Sequence, residues 1–263
     1  ERGPHLAGLF NVSTGESNSL QAAGLLNFAA DEMRGAQLSG LVNFAGKHAD
    51  GAQVSGLFNV APSTMKGVQI SALINYATRL HGMQLGLVNV SDSIKGVPIG
   101  FFSFVMKGYH QIEISADEIF YTNVAFRTGV RQFYNIFTVG VKPSTFKDDE
   151  TYWTFGYGVG TAPRLNRWLS LNVDVTANQV GVGQNLDALN LLNKLYAGVE
   201  FHPAKKIGLV IGATLNAYVT DNSKAPYPEL FTDYNPNIIS EKNYSNDINV
   251  KMWLGGKVGL RFL

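Results

Sequence analysis

The stretch Gln37-Leu38-Ser39-Gly40-Leu41-Val42-Asn43-Phe44-Ala45 decides the fold of the first part of the chain. Its side chains alternate, because Leu38, Val42 and Phe44 point to one side of an extended backbone. The other side carries polar and small residues, which are Gln37, Ser39, Asn43 and Ala45. A period of two residues is typical of a β-strand, whereas a helix places residues three or four apart on one face. The stretch therefore predicts β-structure.

This stretch contains a motif of Gly or Ala, Leu, an apolar residue and Asn that occurs six times in the first ninety residues. The motif begins at positions 8, 24, 40, 56, 72 and 86, so the step is 16 residues four times and then 14. A Gln precedes five of the copies, at Gln21, Gln37, Gln53, Gln69 and Gln84. A fixed short period indicates one structural unit stacked on copies of itself.

Two architectures fit this repeat. Each copy is either one coil of a β-solenoid, stacked parallel on the next, or one membrane strand of a single barrel of 14 to 16 strands. The solenoid is favoured, because an apolar residue precedes each turn glycine by two positions, where the third wall of a coil needs one: Met33, Ala49, Met65, Leu80 and Ile94. Identical one-strand repeats also require parallel neighbours, whereas barrel strands alternate in direction. We predict a short-period β-repeat region, preferably a solenoid, for residues 1–107.

Stacked coils would bring equivalent residues of the motif into rows. The asparagines are expected to form a ladder in which each amide bonds the coils above and below: Asn11, Asn27, Asn43, Asn59, Asn75 and Asn89. One apolar row would be left on the surface and is predicted to contact a partner or the bilayer. We assign this interaction surface to Phe10, Leu26, Phe44, Phe58, Ile74 and Val88.

Residues 108–263 follow a different rule, with longer segments in which apolar residues alternate with small or polar ones. In residues 168–176, for example, Leu169, Leu171, Val173 and Val175 oppose Ser170, Asn172, Asp174 and Thr176. This pattern is typical of an outer-membrane β-barrel. Eight strands are predicted, near 109–116, 119–128, 133–142, 151–162, 167–179, 192–202, 206–220 and 249–263. Short and long connections alternate between them, as periplasmic turns and outer loops do in such barrels.

The strand number predicts how the barrel is filled. An eight-stranded barrel is packed by its own side chains and leaves no wide channel. The residues expected to point inward include three acids and three bases, which should pair because unpaired buried charge is costly: Glu113, Arg127, Asp174, Glu200, Lys257 and Arg261. If the repeats joined the sheet, the total would be fifteen strands, an odd number that is unusual for bacterial barrels.

Composition excludes several classes of function. The net charge of the 263-residue chain is +1, so no strong attraction to nucleic acid is expected. The absence of cysteine removes disulfides, thiolate metal sites and a cysteine nucleophile. Neither a transmembrane helix nor a signal peptide is visible in the sequence, and the residues 1–4 read as a start after signal cleavage. No cofactor and no metal are expected.

The segments Gly67 to Ala77 and Gly82 to Ser91 resemble the surface repeats of Gram-negative bacteria, whose unit is roughly Gly-x-Gln-apolar-Gly-Leu-apolar-Asn-apolar-Ala. The C-terminal part resembles the barrel regions that follow such repeats in outer-membrane proteins of the Bacteroidota. This resemblance implies an outer-membrane location and a Gram-negative source. It implies no activity.

No catalytic set stands out in the sequence. His110, Glu113 and Ser115 suggest a lipid-modifying barrel hydrolase, but a regular strand places His110 and Ser115 on opposite faces. We therefore predict a non-enzymatic protein, a structural or accessory subunit of an envelope complex. The expected partners are outer-membrane lipid or lipopolysaccharide and other envelope proteins. The alternatives are a larger barrel that transports small solutes or lipids and, third, the hydrolase.

Overall fold

A computed structural model describes residues 3–143, 151–183, 190–204, 206–221, 230–231, 235–244 and 247–262. All regular elements in these ranges are β-strands, so the predicted all-β class is confirmed. The same ranges hold no helix that is long and apolar enough to cross a membrane. Internal contacts divide the chain into two compact units. The first comprises Glu1–Tyr109 and Thr128–Asn135, and the second comprises His110–Arg127 and Ile136–Leu263.

The first unit contains an 11-stranded parallel sheet wound into a β-solenoid. Its strands are β1 (His5–Ala7), β2 (Phe10–Ser13), β3 (Leu20–Ala23), β4 (Leu26–Ala29), β5 (Met33–Ser39), β6 (Val42–Ala45), β7 (His48–Ser55), β8 (Phe58–Ser71), β9 (Ile74–Leu85), β10 (Val88–Ile99) and β11 (Phe102–Val105). Equivalent positions face each other in successive coils, such as Asn27 with Asn43 and Gln37 with Gln53. The preferred solenoid is confirmed, and the alternative of extra barrel strands is wrong because these neighbours run parallel.

Each coil has three walls, which we name by their side chains. In one coil they are the Gln wall (36–39), the Asn wall (42–45) and the polar wall (48–51), and equivalent residues form them in the other coils. A buried apolar core lies inside the Asn and polar walls and comprises Ala29, Met33, Ala45, Ala49, Ala61, Met65, Ala77 and Leu80, with Ile94 packed against it. The third wall therefore does contribute apolar side chains to the interior.

A row of glycines lies between the polar wall and the Gln wall. Gly35, Gly51, Gly67, Gly82 and Gly96 have φ angles between 118° and 150°, a region that side chains disfavour. A Cβ atom on Gly51 would lie 1.9 Å from the carbonyl oxygen of Gly35 in the preceding coil. Glycine is required here for both reasons, because the backbone bends sharply and the coils stack closely.

The second unit contains a closed barrel. Its elements are β12 (Tyr109–Asp117), β13 (Thr122–Val130), β14 (Phe133–Lys142), β15 (Tyr152–Thr161), β16 (Leu169–Val182), β17 (Asn190–Ala204), β18 (Ile207–Asp221), β19 (Ile238–Tyr244) and β20 (Ile248–Phe262). Strands β12 to β18 and β20 follow one another in order, and antiparallel pairing of β12 with β20 closes the ring. The predicted eight-stranded barrel is confirmed.

Strand β19 was not predicted, because the sequence of residues 221–248 reads as one long connection. In the structure β19 pairs antiparallel with the first half of β20, from Tyr244 opposite Ile248 to Ser240 opposite Met252. Most of this strand is exposed and shows no clear alternation, so its β-structure depends on its neighbour and not on its own pattern. The other predicted long connections fall largely on residues 144–150 and 184–189, which lie outside the described residues.

Candidate interaction surface and barrel interior

The predicted asparagine ladder residues are brought together in the interior of the solenoid. The side-chain Nδ2 of each Asn donates to Oδ1 of the Asn in the next coil at 2.9–3.0 Å, from Asn11 through to Asn89. The same amide also donates to the Gln-wall backbone of the next coil, as Asn59 does to the carbonyl of Ile70 at 2.7 Å. A buried amide must be paired, and these bonds meet that need while they tie one coil to the next.

A second ladder was missed by the sequence reasoning, although the recurring Gln residues were noticed. Gln37, Gln53, Gln69 and Gln84 each donate through Nε2 to Oε1 of the Gln one coil earlier, at 2.7–2.8 Å. The two ladders thus run in opposite directions along the solenoid. Gln84 is fully buried, although the shorter last repeat disrupts the alternation next to it. The recurrence of Gln at steps of 16 residues, and finally 15, was the available sequence signal.

The last coil is covered by residues 128–135, which belong to the same compact unit. Asn135 accepts a hydrogen bond from the backbone N–H of Ser103 at 2.8 Å and donates one to the carbonyl of Gly100 at 2.7 Å. The hydroxyl of Thr128 donates to the carbonyl of Ser103 at 3.0 Å. The two bonds to Ser103 occupy backbone groups of β11, a strand that would otherwise end the sheet as an open edge.

Four apolar rows run along the outside of the Gln wall, the Asn wall and the corner between them. We call them together the apolar surface. In register they are Leu6, Ala22, Leu38, Val54, Ile70, Leu85 and Ile99; Leu9, Leu25, Leu41, Leu57, Leu73 and Leu87; Phe10, Leu26, Val42, Phe58, Ile74, Val88 and Phe102; and Val12, Phe28, Phe44, Val60, Tyr76, Val90 and Phe104. None of these residues is charged. The members that are more than half exposed lie in the first coil, such as Leu6 at 73%, and residues of later coils such as Ile74 and Leu87 are 36% and 49% exposed.

One residue of the predicted interaction surface belongs to a different row. Phe44 follows Asn43, whereas Phe10, Leu26, Phe58, Ile74 and Val88 each precede their Asn. The position equivalent to theirs is Val42, which lies opposite Leu26 and Phe58. Phe44 is stacked on Phe28 in the neighbouring row, with ring centroids 4.9 Å apart. Both rows face outward because residues two apart in a strand share a face.

The polar wall and its flanking corner carry the charges of the solenoid. Lys47 forms an ion pair with Asp31 at 2.8 Å, and Lys107 forms one with Asp92 at 2.9 Å. The hydrogen bond to the Asp31 carboxylate raises the pKa of Lys47 above its ordinary value. The outside of the solenoid is therefore amphipathic, with an uncharged apolar surface on two walls and charge on the third.

All six predicted inward charges meet inside the barrel. Glu113 contacts Arg127 at 3.0 Å, Lys257 at 3.2 Å and Arg261 at 2.7 Å. Asp174 contacts Arg127 at 2.9 Å, and Glu200 contacts Arg261 at 2.9 Å. With three acids against three bases, this ion-pair network is balanced in charge. Pairing of opposite charges compensates for the cost of removing these ions from water.

Near the long-loop end, the β12–β13 turn folds into the barrel. Ile119 and Phe120 are buried in an apolar cluster that also contains Tyr152, Val180, Leu192, Tyr218, Leu230 and Trp253. Asp117 accepts hydrogen bonds from the backbone N–H groups of Ile119 and Phe120 at 2.9 and 2.7 Å. Glu118 accepts from the indole N–H of Trp253 at 2.9 Å. Sequence reasoning missed this plug, because its residues come from separate strands and turns.

A cavity of about 60 Å³ remains inside the barrel. Its lining includes Glu113, Arg127 and Asp174 of the ion-pair network and Asp117 and Lys194 toward the long-loop end. One water molecule needs roughly 10–15 Å³ on this scale, so the cavity has room for a few waters. The described interior thus combines an ion-pair network, a small cavity and an apolar plug.

The histidines do not form the set considered from the sequence. His110 and Ser115 lie at alternate positions of β12, on opposite faces. A different set comes together on β16 and β17, where the hydroxyl of Ser170 lies 3.0 Å from Nε2 of His202, and Nδ1 of His202 lies 3.7 Å from Glu200. The arrangement resembles a hydrolytic triad in residue type. Ser170, however, is completely buried, so no substrate reaches its hydroxyl in this arrangement.

No protein-family model and no curated protein matches the sequence. Among solved structures, the chain is similar to the Yersinia pestis outer membrane protein Ail in a phospholipid bilayer nanodisc. That match has 18% identity and a TM-score of 0.30, and covers 59% of this chain and 100% of Ail. The crystal structure of Ail, the attachment invasion locus protein of Yersinia pestis, matches with 14% identity and a TM-score of 0.25, over 58% of this chain and 93% of that one. Both neighbours are outer-membrane β-barrel proteins.

Proposed function

We propose that this protein is a Gram-negative outer-membrane protein whose barrel is an anchor and whose solenoid binds another envelope protein, as an accessory subunit of a complex. The observation that carries the proposal is the uncharged apolar surface. Monomeric soluble proteins rarely expose a continuous apolar patch of more than a few hundred Å². This surface has seven levels spaced by roughly 4.8 Å and is therefore about 30 Å long.

The membrane location is supported by the outer face of the barrel. Val175, Ile211, Leu254 and Val258 are each more than half exposed, and the residues on either side of each along its strand are less exposed. A closed barrel satisfies its backbone hydrogen bonds internally, which lipid requires. In outer-membrane barrels the short turns face the periplasm. Strand β12 begins at the end with the short turns, so the segment before Tyr109 would lie in the periplasmic compartment.

The size of the apolar surface favours a protein partner. Its width from Leu38 to Phe44 spans seven residues around the corner, roughly 20 Å at 3.3 Å per residue. A surface of about 30 by 20 Å approaches the ~800 Å² of accessible area that each side of a standard protein interface buries. The regular ridges of Leu and Phe would dock against a complementary apolar face, and the polar wall would remain in water.

The test is site-specific photo-crosslinking in intact cell envelopes. A photoreactive phenylalanine analogue at Phe58 or Ile74 should link the protein to one discrete envelope protein, whereas the same analogue at Lys66 or Lys95 of the polar wall should not. The double variant F58D/I74D should lose co-purification of that protein and keep the heat-modifiable gel migration of a folded barrel. Adducts with lipid alone, or equal adducts from both walls, would contradict the proposal.

A further inference from the structure

A concave site lies at the short-turn end of the barrel, apart from the ion-pair network and the apolar surface. It has a volume of about 420 Å³ and is lined by Arg164, Arg167, Trp168, His202, Pro203 and Ala204. The arginines come from the turn between β15 and β16, and the other wall comes from the end of β17. Two guanidinium groups, an indole and an imidazole therefore line one depression.

The turn that carries the arginines is held in one conformation. The side-chain oxygen of Asn166 accepts hydrogen bonds from the backbone N–H groups of Trp168 at 2.8 Å and Leu169 at 3.0 Å. The N–H of Leu165 donates to the carbonyl of Leu169 at 3.0 Å. The N–H of His202 donates to the carbonyl of Trp168 at 2.8 Å, which joins the two sides of the site. The backbone of the site is therefore already ordered before a ligand binds.

The charge of the site is positive and uncompensated. Within the described ranges, neither Arg164 nor Arg167 has an ion pair, and the guanidinium of Arg167 lies over the ring of Trp168, 4.8 Å from its centroid. The carboxylate facing His202 belongs to Glu200, and that group is already bonded to Arg261 at 2.9 Å. Both guanidinium groups line the same depression. A guanidinium donates paired hydrogen bonds to phosphate oxygens, so these arginines fit a phosphate.

An apolar flank adjoins the positive charge. Trp168 is stacked on Phe201, with centroids 6.4 Å apart, and both rings are nearly half exposed on the outside of the barrel. Leu165, at the tip of the same turn, is 60% exposed. Aromatic rings of this kind form the girdles of outer-membrane barrels at the level of the lipid headgroups. A ligand at the arginines would therefore have apolar surface directly beside its anionic group.

We infer that this site binds the phosphate group of a phospholipid, with Arg164 and Arg167 on the phosphate oxygens and with the lipid chains along Trp168 and Phe201. The buried ring of His202 forms the inner limit of the site. This binding site is independent of the proposed role of the solenoid, since its residues all lie in the barrel. It gives the short-turn rim a fixed position at one leaflet of the membrane.

The test is native mass spectrometry of the full-length protein titrated with dioleoyl-phosphatidylglycerol. Dioleoylglycerol, which has the same chains without phosphate, and inorganic phosphate serve as separate probes. R164Q/R167Q should weaken phosphatidylglycerol binding by more than about tenfold, because two charge-assisted contacts are lost. K66Q/K95Q removes the same charge from the polar wall of the solenoid and should change binding by less than about twofold. All four positions are exposed, so heat-modifiable migration should be retained in both variants.

Two results would overturn the inference. If the unmodified protein and R164Q/R167Q bind phosphatidylglycerol equally well, the arginines do not form the binding site. If dioleoylglycerol binds as well as phosphatidylglycerol, the phosphate group is not recognised. W168L distinguishes a phospholipid ligand from free phosphate, because it keeps both arginines and removes the aromatic flank. Weaker lipid binding by W168L supports a phospholipid. If W168L binds lipid unchanged and inorganic phosphate displaces the lipid fully, the site recognises free phosphate and the lipid assignment is wrong.

Discussion

Nε of Arg261 donates a hydrogen bond to Oε2 of Glu113 at 2.7 Å, and the two residues lie directly opposite each other on β20 and β12. These are the strands whose pairing closes the barrel, and the two residues are 148 positions apart in sequence. Both side chains are buried. Closure of the ring and pairing of its interior charges therefore depend on each other.

Arg261→Met should destabilise the barrel strongly. The variant removes a base that contacts both Glu113 and Glu200, and it leaves two buried carboxylates short of a partner. Breaking a buried ion pair on one side costs about 3–5 kcal/mol. The measurement is urea unfolding in lipid vesicles, followed by tryptophan fluorescence. Lys107→Met is the matched control, because its pair with Asp92 is exposed and worth less than about 1 kcal/mol. Equal losses in the two variants would show that the interior charges do not support the barrel.

Asn59→Leu should destabilise the solenoid while the barrel remains folded. The substitution removes bonds to Asn43, Asn75 and the carbonyl of Ile70, and leaves buried polar groups unpaired at about 1–3 kcal/mol each. Limited proteolysis should then cut within residues 1–107, and the heat-modifiable band should persist. Asn11→Leu in the first coil is the control. Its side chain is at the end of the ladder, so only the terminal coil should fray. The same protease sensitivity in both variants would exclude a ladder that connects the coils.

Gly51→Ala should disturb the stacking of the coils. The residue has a φ of 128°, and an added Cβ would lie 1.9 Å from the carbonyl oxygen of Gly35. The left-handed region alone costs a side chain roughly 1–2 kcal/mol, and the clash adds to this cost. Thermal unfolding by circular dichroism measures the loss. Gly15→Ala serves as the comparison, since nothing lies within 4 Å of a Cβ there. If Gly51→Ala left the melting temperature unchanged, the coils could move apart to accept the added Cβ without loss of stability.

The purified protein should conduct no steady ion current in a planar bilayer. The ion-pair network lies inside the barrel, and Ile119 and Phe120 are buried in the plug near the long-loop end. A few waters in the cavity do not make a continuous path. Single-channel recording over a wide voltage range is the measurement, with a known porin as the positive control. Stable open-channel steps in several preparations would favour the transport alternative over the anchor.

Prediction from the sequence succeeded where a pattern is local and periodic. The 16-residue step indicated equivalent positions in successive coils, so the rows of Asn and of apolar residues follow from the repeat alone. The row of Phe44 was assigned wrongly because Phe44 follows Asn43, whereas the other predicted surface residues precede their Asn. Strand β19 was missed for the opposite reason, because it has no pattern of its own and is defined by pairing with β20.

By itself, the sequence determined the class of each half through alternation and repeat length, and the balance of inward charges predicted a filled barrel. Only the tertiary structure decided which distant groups meet. The bond between Ser170 and His202 joins β16 and β17, and the bond between Glu113 and Arg261 joins β12 and β20. The proposed phosphate site likewise combines the β15–β16 turn with the end of β17. The physical reason is that periodicity specifies the face on which a side chain lies, whereas strand order and register specify the partner opposite it.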